Sequence, residues 1–225
     1  MSLAFTAFVP VLLLFEWFFG IRCKELFTFL TFGIAVGSIL GSCYDLYSTV
    51  PFFDTVLHGV SGTVFAALGF AFAKVFFVER GRCRRRFFGT LLFALCFSLA
   101  IASVWEIFEY TASALFGFDM MEDTAVNSIR SYLLSGTHTE ATVIDNVIKT
   151  VIYYGDGEVY VLDGYLDLGL IDTMTDIIVC TAGAALFAVL AILGYFKYPK
   201  INALLIPRVV TYGTELTKNE EPVSK

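Results

Sequence analysis

Val50-Pro-Phe-Phe-Asp-Thr-Val-Leu-His-Gly-Val-Ser-Gly62 sets Asp54 and His58 four residues apart at the mouth of a long apolar run. Two later stretches, Trp105-Glu-Ile-Phe-Glu-Tyr110 and Leu170-Ile-Asp-Thr-Met-Thr-Asp-Ile177, repeat the arrangement with carboxylates alone. Spacings of three or four residues place each pair on one helical face. The expectation is a helix bundle in which three helices each offer two polar side chains to a common pocket at one end.

Composition fixes the class of that bundle. The 225 residues are 57% apolar and 16% charged, with a mean hydropathy of +0.76, values that belong to polytopic membrane proteins and not to soluble domains. The net charge of -6 averages over both sides of a membrane and says nothing about partners. Membrane lipids are the expected surroundings, and nothing points to nucleic acid. The five cysteines are scattered without a CxxC pair, which reads as small packing residues and not as ligands or disulfides.

Five apolar runs reach spanning length: Leu3 to Phe19, Leu26 to Tyr44, Thr55 to Val78, Phe87 to Phe108 and Ile171 to Phe196. The fold class expected is all-α, a polytopic membrane helix bundle with about five transmembrane spans and a small outer cap. Spans 1–4 occupy residues 1–117, the cap 118–170, the fifth span 171–200 and a cytoplasmic tail 201–225. Gly33, Gly37 and Gly41 form a small-residue stripe on the second run, and Gly59 and Gly62 serve close helix packing on the third. In the cap, Asp123 to Leu134 reads as a short amphipathic helix. Asn146 to Tyr154 and Glu158 to Leu162 flank Gly155-Asp-Gly157 and read as a β-hairpin. With the amino terminus outside, thirteen of the fifteen Lys and Arg residues fall on the inner side, leaving Arg130 and Lys149 outside. That distribution predicts N-out and C-in, with the three polar pairs at outer helix ends.

Ionisable groups within spans are costly, about 2.5–3.5 kcal/mol each at a helix centre, and are normally paired or functional. No Lys or Arg lies near Asp54, Glu106, Glu109, Asp172 or Asp176 in the sequence. Clustered carboxylates without cations are protonated, hydrated or neutralised by a metal ion. Mg, Mn or Ca suits an oxygen-dominated shell, and Fe or Zn a tighter one that includes His58. Location alone explains some of the acids. Helix ends at headgroups meet water, and an acid in a first turn favours the helix dipole, which covers Asp54 and Asp172 but covers His58, Asp176, Glu106 and Glu109 poorly.

The functional expectation is a divalent metal held by Asp54, His58, Asp172 and Asp176, with Glu106 or Glu109 as general base, in a hydrolase or transferase acting on a lipid or envelope precursor. A proton- or ion-coupled carrier using the same acids is an alternative, and so is a membrane scaffold without catalysis. No internal repeat supports a carrier.

The motifs Asp54-x-x-x-His58-Gly-x-x-Gly62, Glu106-x-x-Glu109, Gly117-x-Asp-Met-Met-x-Asp-Thr124 and Gly169-Leu-Ile-Asp-Thr-Met-x-Asp176 with Gly183-Ala184 resemble the YjdF-like group of bacterial inner-membrane proteins. They are more distantly similar to VanZ-like proteins, which are linked to glycopeptide-antibiotic resistance. The resemblance runs from about Val50 to Leu190. It implies a helical protein of the bacterial plasma membrane in which the three pairs matter, and it supplies no reaction. The chain departs from the pattern at Cys180, one turn below Asp176, where the family favours Asn.

Overall fold

Among the described residues, four of the apolar runs become helices long and apolar enough to cross a membrane. The computed structural model describes residues 14, 17–19, 21–22, 25–44, 46–76, 83–117, 119–137 and 139–209. Most of the expected first span, residues 77–82 at the end of the third run and in the arginine-rich connection that follows it, and the tail from residue 210 lie outside the described residues. In chain order the elements are β1 (Ile21–Arg22), α1 (Glu25–Cys43), α2 (Leu46–Thr49), α3 (Phe53–Phe76), α4 (Arg84–Phe116), β2 (Ala125–Val126), β3 (Ser128–Ser131), α5 (Tyr132–Ser135), β4 (Thr142–Asp145), β5 (Lys149–Tyr154), β6 (Glu158–Asp163), β7 (Tyr165–Leu166), α6 (Leu170–Phe196), α7 (Pro199–Leu205) and β8 (Arg208–Val209). The chain divides into two compact units, residues 1–100 with 179–225, and residues 101–178.

The first unit is a packed set of apolar helices. Its core is built from Phe27 of α1, Val64, Ala66, Ala67, Leu68 and Phe70 of α3, Leu91 and Ala94 of α4, and Ala184, Phe187, Ala188 and Ala191 of α6. Alanine is prominent because lipid gives helices no hydrophobic reason to associate, so dispersion contacts at short range must hold them. Gly62 and Gly183 carry this furthest. A Cβ on Gly62 would run into the backbone of Cys180, and one on Gly183 into the carbonyl of Gly59, so α3 and α6 touch backbone to backbone. Hydrogen bonds cross the same contact, from Thr63 Oγ1 to the Gly183 carbonyl at 3.0 Å and from Cys180 Sγ to the His58 carbonyl at 3.2 Å. Ser98 of α4 donates to the Gly62 carbonyl at 2.9 Å. On α1 the glycine stripe is only partly a contact: Gly37 faces Leu57 and Gly41 faces Tyr47, whereas Gly33 faces open space. Leu92, Leu186 and Val189 point outward, more than half exposed, which suits a surface solvated by acyl chains.

The second unit carries α4 from Ile101 onward, α6 as far as Ile178 and the strands between them. α4 is 33 residues long and continues two turns past Glu109, so its end is at Phe116 and not at Phe108. Gly117, at φ +67°, then ends it in the left-handed conformation that favours glycine. The expected amphipathic helix from Asp123 to Leu134 is replaced by two strands and the single turn α5. β2 pairs with β7, and β3 pairs with β4 in the register Ser128↔Asp145 to Ser131↔Thr142. The hairpin is present as expected, β5 with β6, Lys149↔Asp163 to Tyr154↔Glu158. Val151, Tyr153, Val159 and Val161 occupy one of its faces, Ile152, Tyr154 and Tyr160 the other, and all seven are exposed.

Candidate functional site

The start of α6 is fixed by one side chain. Asp167 accepts from the Ile171 N–H at 2.7 Å through Oδ2, and from the Thr124 N–H at 3.0 Å and the Gly169 N–H at 3.3 Å through Oδ1. Its own N–H donates to the Thr124 carbonyl at 3.1 Å. The carboxylate therefore caps the helix, whose first N–H groups have no intrahelical acceptor, and ties it to the segment after α4. Gly169 sits at φ +78° against Met121, a place where a Cβ would collide. Met120 N–H donates to Ser113 Oγ at 3.1 Å, closing the same clasp onto α4. These contacts account for the motifs around Gly117–Thr124 and Gly169–Asp176. Asp167 itself escaped the reading of the sequence, because it lies three residues before Leu170 and not at the position immediately preceding the helix, where a cap is sought.

Within this second unit, Glu106 and Glu109 of α4 and Asp176 of α6 come together. One carboxylate oxygen from each lies within 4.8 Å of the others, and the three residues are 6%, 8% and 2% exposed. The i,i+3 spacing places both glutamates on one face of α4, and α6 turns Asp176 to a buried position. Asp172, one turn earlier on α6, is half-buried and stands outside this triad.

In the first unit, Asp54 and His58 form the pair that their spacing predicts, Oδ1 to Nε2 at 3.5 Å, with His58 11% exposed. The other ring nitrogen, Nδ1, lies 3.7 Å from Cys180 Sγ, and Ser61 Oγ lies 3.6 Å from the same sulfur. Cys180 is buried, as its reading as a packing residue requires, whereas Cys43, Cys83 and Cys96 are exposed. The imidazole is thus held from both sides, by the acid of its own helix and by the thiol of α6.

Helix geometry gives the depth of these groups. Asp54 to Lys74 along α3, and Arg86 to Glu106 along α4, are each about 20 residues or about 30 Å, one hydrocarbon thickness. Asp176 to the end of α6 covers the same length. Each helix, taken alone, places its carboxylates where hydrocarbon gives way to headgroups when its basic end does the same on the opposite face.

Two groups beyond the spans have displaced proton affinities. Burial, then Asp119 and Asp167, raise the Asp123 carboxyl above the usual aspartate value. The backbone N–H groups of Arg86 and Arg85 hold the exposed Cys83 thiol below its usual value.

Residues 1–197 match the family described as "Predicted membrane protein (DUF2238)". The match agrees with the resemblance in pointing to a membrane family without assigned function, and carries neither the YjdF-like nor the VanZ-like name. No curated protein and no solved structure matches the chain.

Proposed function

This chain belongs to the DUF2238 family of predicted membrane proteins, and from that premise we propose that Glu106, Glu109 and Asp176 bind a divalent cation used in hydrolysis or group transfer on a lipid or envelope precursor. The observation behind the proposal is the burial of three carboxylates with oxygens within 4.8 Å of one another. At that separation and an effective dielectric near 20, each ionised pair repels by about 3.5 kcal/mol. Residues 87–129 and 150–196, which include all three acids, contain no Lys or Arg. A shared ion removes the repulsion and adds ligand bonds. An all-oxygen donor set favours Mg, Mn or Ca. Glu106 and Glu109, cast as bases from sequence alone, become ligands in this reading. When bound, such an ion polarises a phosphoryl or acyl oxygen. The depth of the triad suits a substrate whose reacting group lies at headgroup level. In this reading the membrane is a bacterial plasma membrane and the triad faces its outer side, an orientation that the thirteen-to-two distribution of bases supports.

The test is metal analysis and thermal unfolding of the purified full chain near neutral pH. The reading expects a bound divalent ion, a lower melting temperature on chelation, restoration by one particular metal, and loss of the response in Glu109→Gln and Asp176→Asn. A metal-free protein indifferent to chelator, in which these amide variants are tolerated or stabilised, means that the triad is neutral by protonation and ends the metal reading.

A further inference from the structure

The end of the first unit remote from Asp54 concentrates positive charge. Arg84, Arg85 and Arg86 open α4, Lys197 and Lys200 follow the last turn of α6, and all five are exposed. Ring contacts bring the two groups together. The Arg84 guanidinium lies 5.9 Å from the Phe88 ring centroid and 5.2 Å from that of Phe196. Phe87 stacks on Tyr195 with centroids 4.2 Å apart, and the Lys197 ammonium lies 5.1 Å above the Tyr198 ring. Phe70 of α3 meets Phe87 at 5.8 Å, so the last turns of α3, with Lys74, come to the same end. Among the described residues of this unit the carboxylates are Glu25, in the first turn of α1, and Asp54, which is most of a helix away along α3. Cations held this close repel one another, and an anion seated among them reverses the sign of that energy.

We propose that this basic end binds the headgroup of an anionic phospholipid, with Arg84 as its fixed element and Arg85, Arg86, Lys197 and Lys200 around it. Lipid is the occupant that the location selects, because these residues lie at the ends of two membrane-length helices, where phosphates are. The rings beside Arg84 cover part of its guanidinium with apolar surface, and a guanidinium fork pairs a phosphate diester in bidentate fashion. Tyr195 and Tyr198 add the amphipathic rings that favour the headgroup layer. Each base near an anionic leaflet strengthens binding roughly fivefold.

The full chain is reconstituted in nanodiscs of phosphatidylcholine alone or mixed with phosphatidylglycerol, and lipid retained on extraction is counted by native mass spectrometry. Phosphatidylglycerol should be enriched over its share of the mixture, and more salt should erase the enrichment. Lys197→Gln/Lys200→Gln should weaken retention roughly 25-fold, the product of two such steps. Arg84→Lys, which keeps the charge and loses the fork, should weaken it less. Lys149→Gln, in the cap, should leave it unchanged. The salt titration on the unaltered chain stands even if a variant fails to fold. Retention that matches the mixture, or ignores salt, refutes the site. Complete competition by free glycerol phosphate refutes the lipid as its occupant in favour of a soluble anion.

Discussion

Replacing Gly62 by Ala should separate α3 from α6. The added methyl would lie 2.7 Å from the Cys180 carbonyl carbon and 2.8 Å from its Cα, and closer still to the carbonyl oxygen, so no side-chain rotation can relieve it. Overpacking of this kind costs about 1–3 kcal/mol. Moving the helices apart also strains two bonds that cross the contact, Thr63 to Gly183 and Cys180 to His58, worth about 0.6 kcal/mol each in a membrane bundle. Ala gains about 0.5–1 kcal/mol over Gly within a helix. The sum is about 1–4 kcal/mol of destabilisation. Gly33→Ala is the internal control, since a methyl there meets nothing within 4 Å and should stabilise by about 0.5–1 kcal/mol. Reversible unfolding in mixed micelles, followed by tryptophan fluorescence, measures both against the unaltered chain. Equal stability of the two variants would falsify the backbone contact between α3 and α6.

Asp167→Ala removes the acceptor of three N–H groups and should cost the cap about 2 kcal/mol, the upper range for an N-cap. Hydrogen exchange should accelerate at Thr124 and Ile171 while the core of the first unit stays protected; unchanged exchange at both sites counts against the clasp. Cys83 should reach half-maximal alkylation by iodoacetamide at a lower pH than free cysteine, because two backbone N–H groups favour its thiolate, and a midpoint at or above the free-thiol value refutes this. Asp123 has a raised carboxyl affinity, so the folded cap favours its protonated form. Its contribution to stability is present below the ordinary aspartate pKa and is lost as pH rises through the raised value. Asp123→Asn should therefore flatten that part of the pH profile and should not destabilise the cap at neutral pH; a loss of cap stability there would contradict the sign.

The positions of the four described spans were legible because each is a run of apolar residues that needs no distant partner, and helix hydrogen bonds close within the segment. Asp54 with His58, and Glu106 with Glu109, followed from the same local periodicity. The cap was harder. Ala125, Val126, Ile129, Leu133 and Leu134 suit one helical face, whereas Ser128 to Ser131 are too few and too polar to show a strand period, and what decides is pairing with Thr142 to Asp145, a partner far along the chain. The end of α4 was misplaced because Glu109, Tyr110 and Thr111 look like a polar stop, whereas Ala112 to Phe116 sustain the helix to the conformational stop at Gly117. Spacing pointed Asp176 and the glutamates toward a shared end, but gave no sign that Asp172 stands outside their triad, nor of the contacts that Asp167 makes with Thr124 and Gly169.

The hairpin formed by β5 and β6 is apolar on both faces, and this bears on how its register is chosen. In a half-buried strand a slip of one residue turns the hydrophobic set toward water and is rejected. Here such a slip exchanges one exposed apolar face for another, Val151 and Tyr153 for Ile152 and Tyr154, at little cost in solvation. Selection of the native pairing passes to the two extremities. At the tip, Gly155 and Gly157 hold φ values of +55° and +104° that a side chain would resist. At the root, Gly164 N–H donates to the Ile148 carbonyl at 2.8 Å and Thr150 Oγ1 to the Gly164 carbonyl at 2.6 Å. A substitution at Gly157 would accordingly yield a hairpin that still forms but pairs out of step, an error of alignment that melting curves overlook and cross-strand disulfide trapping detects.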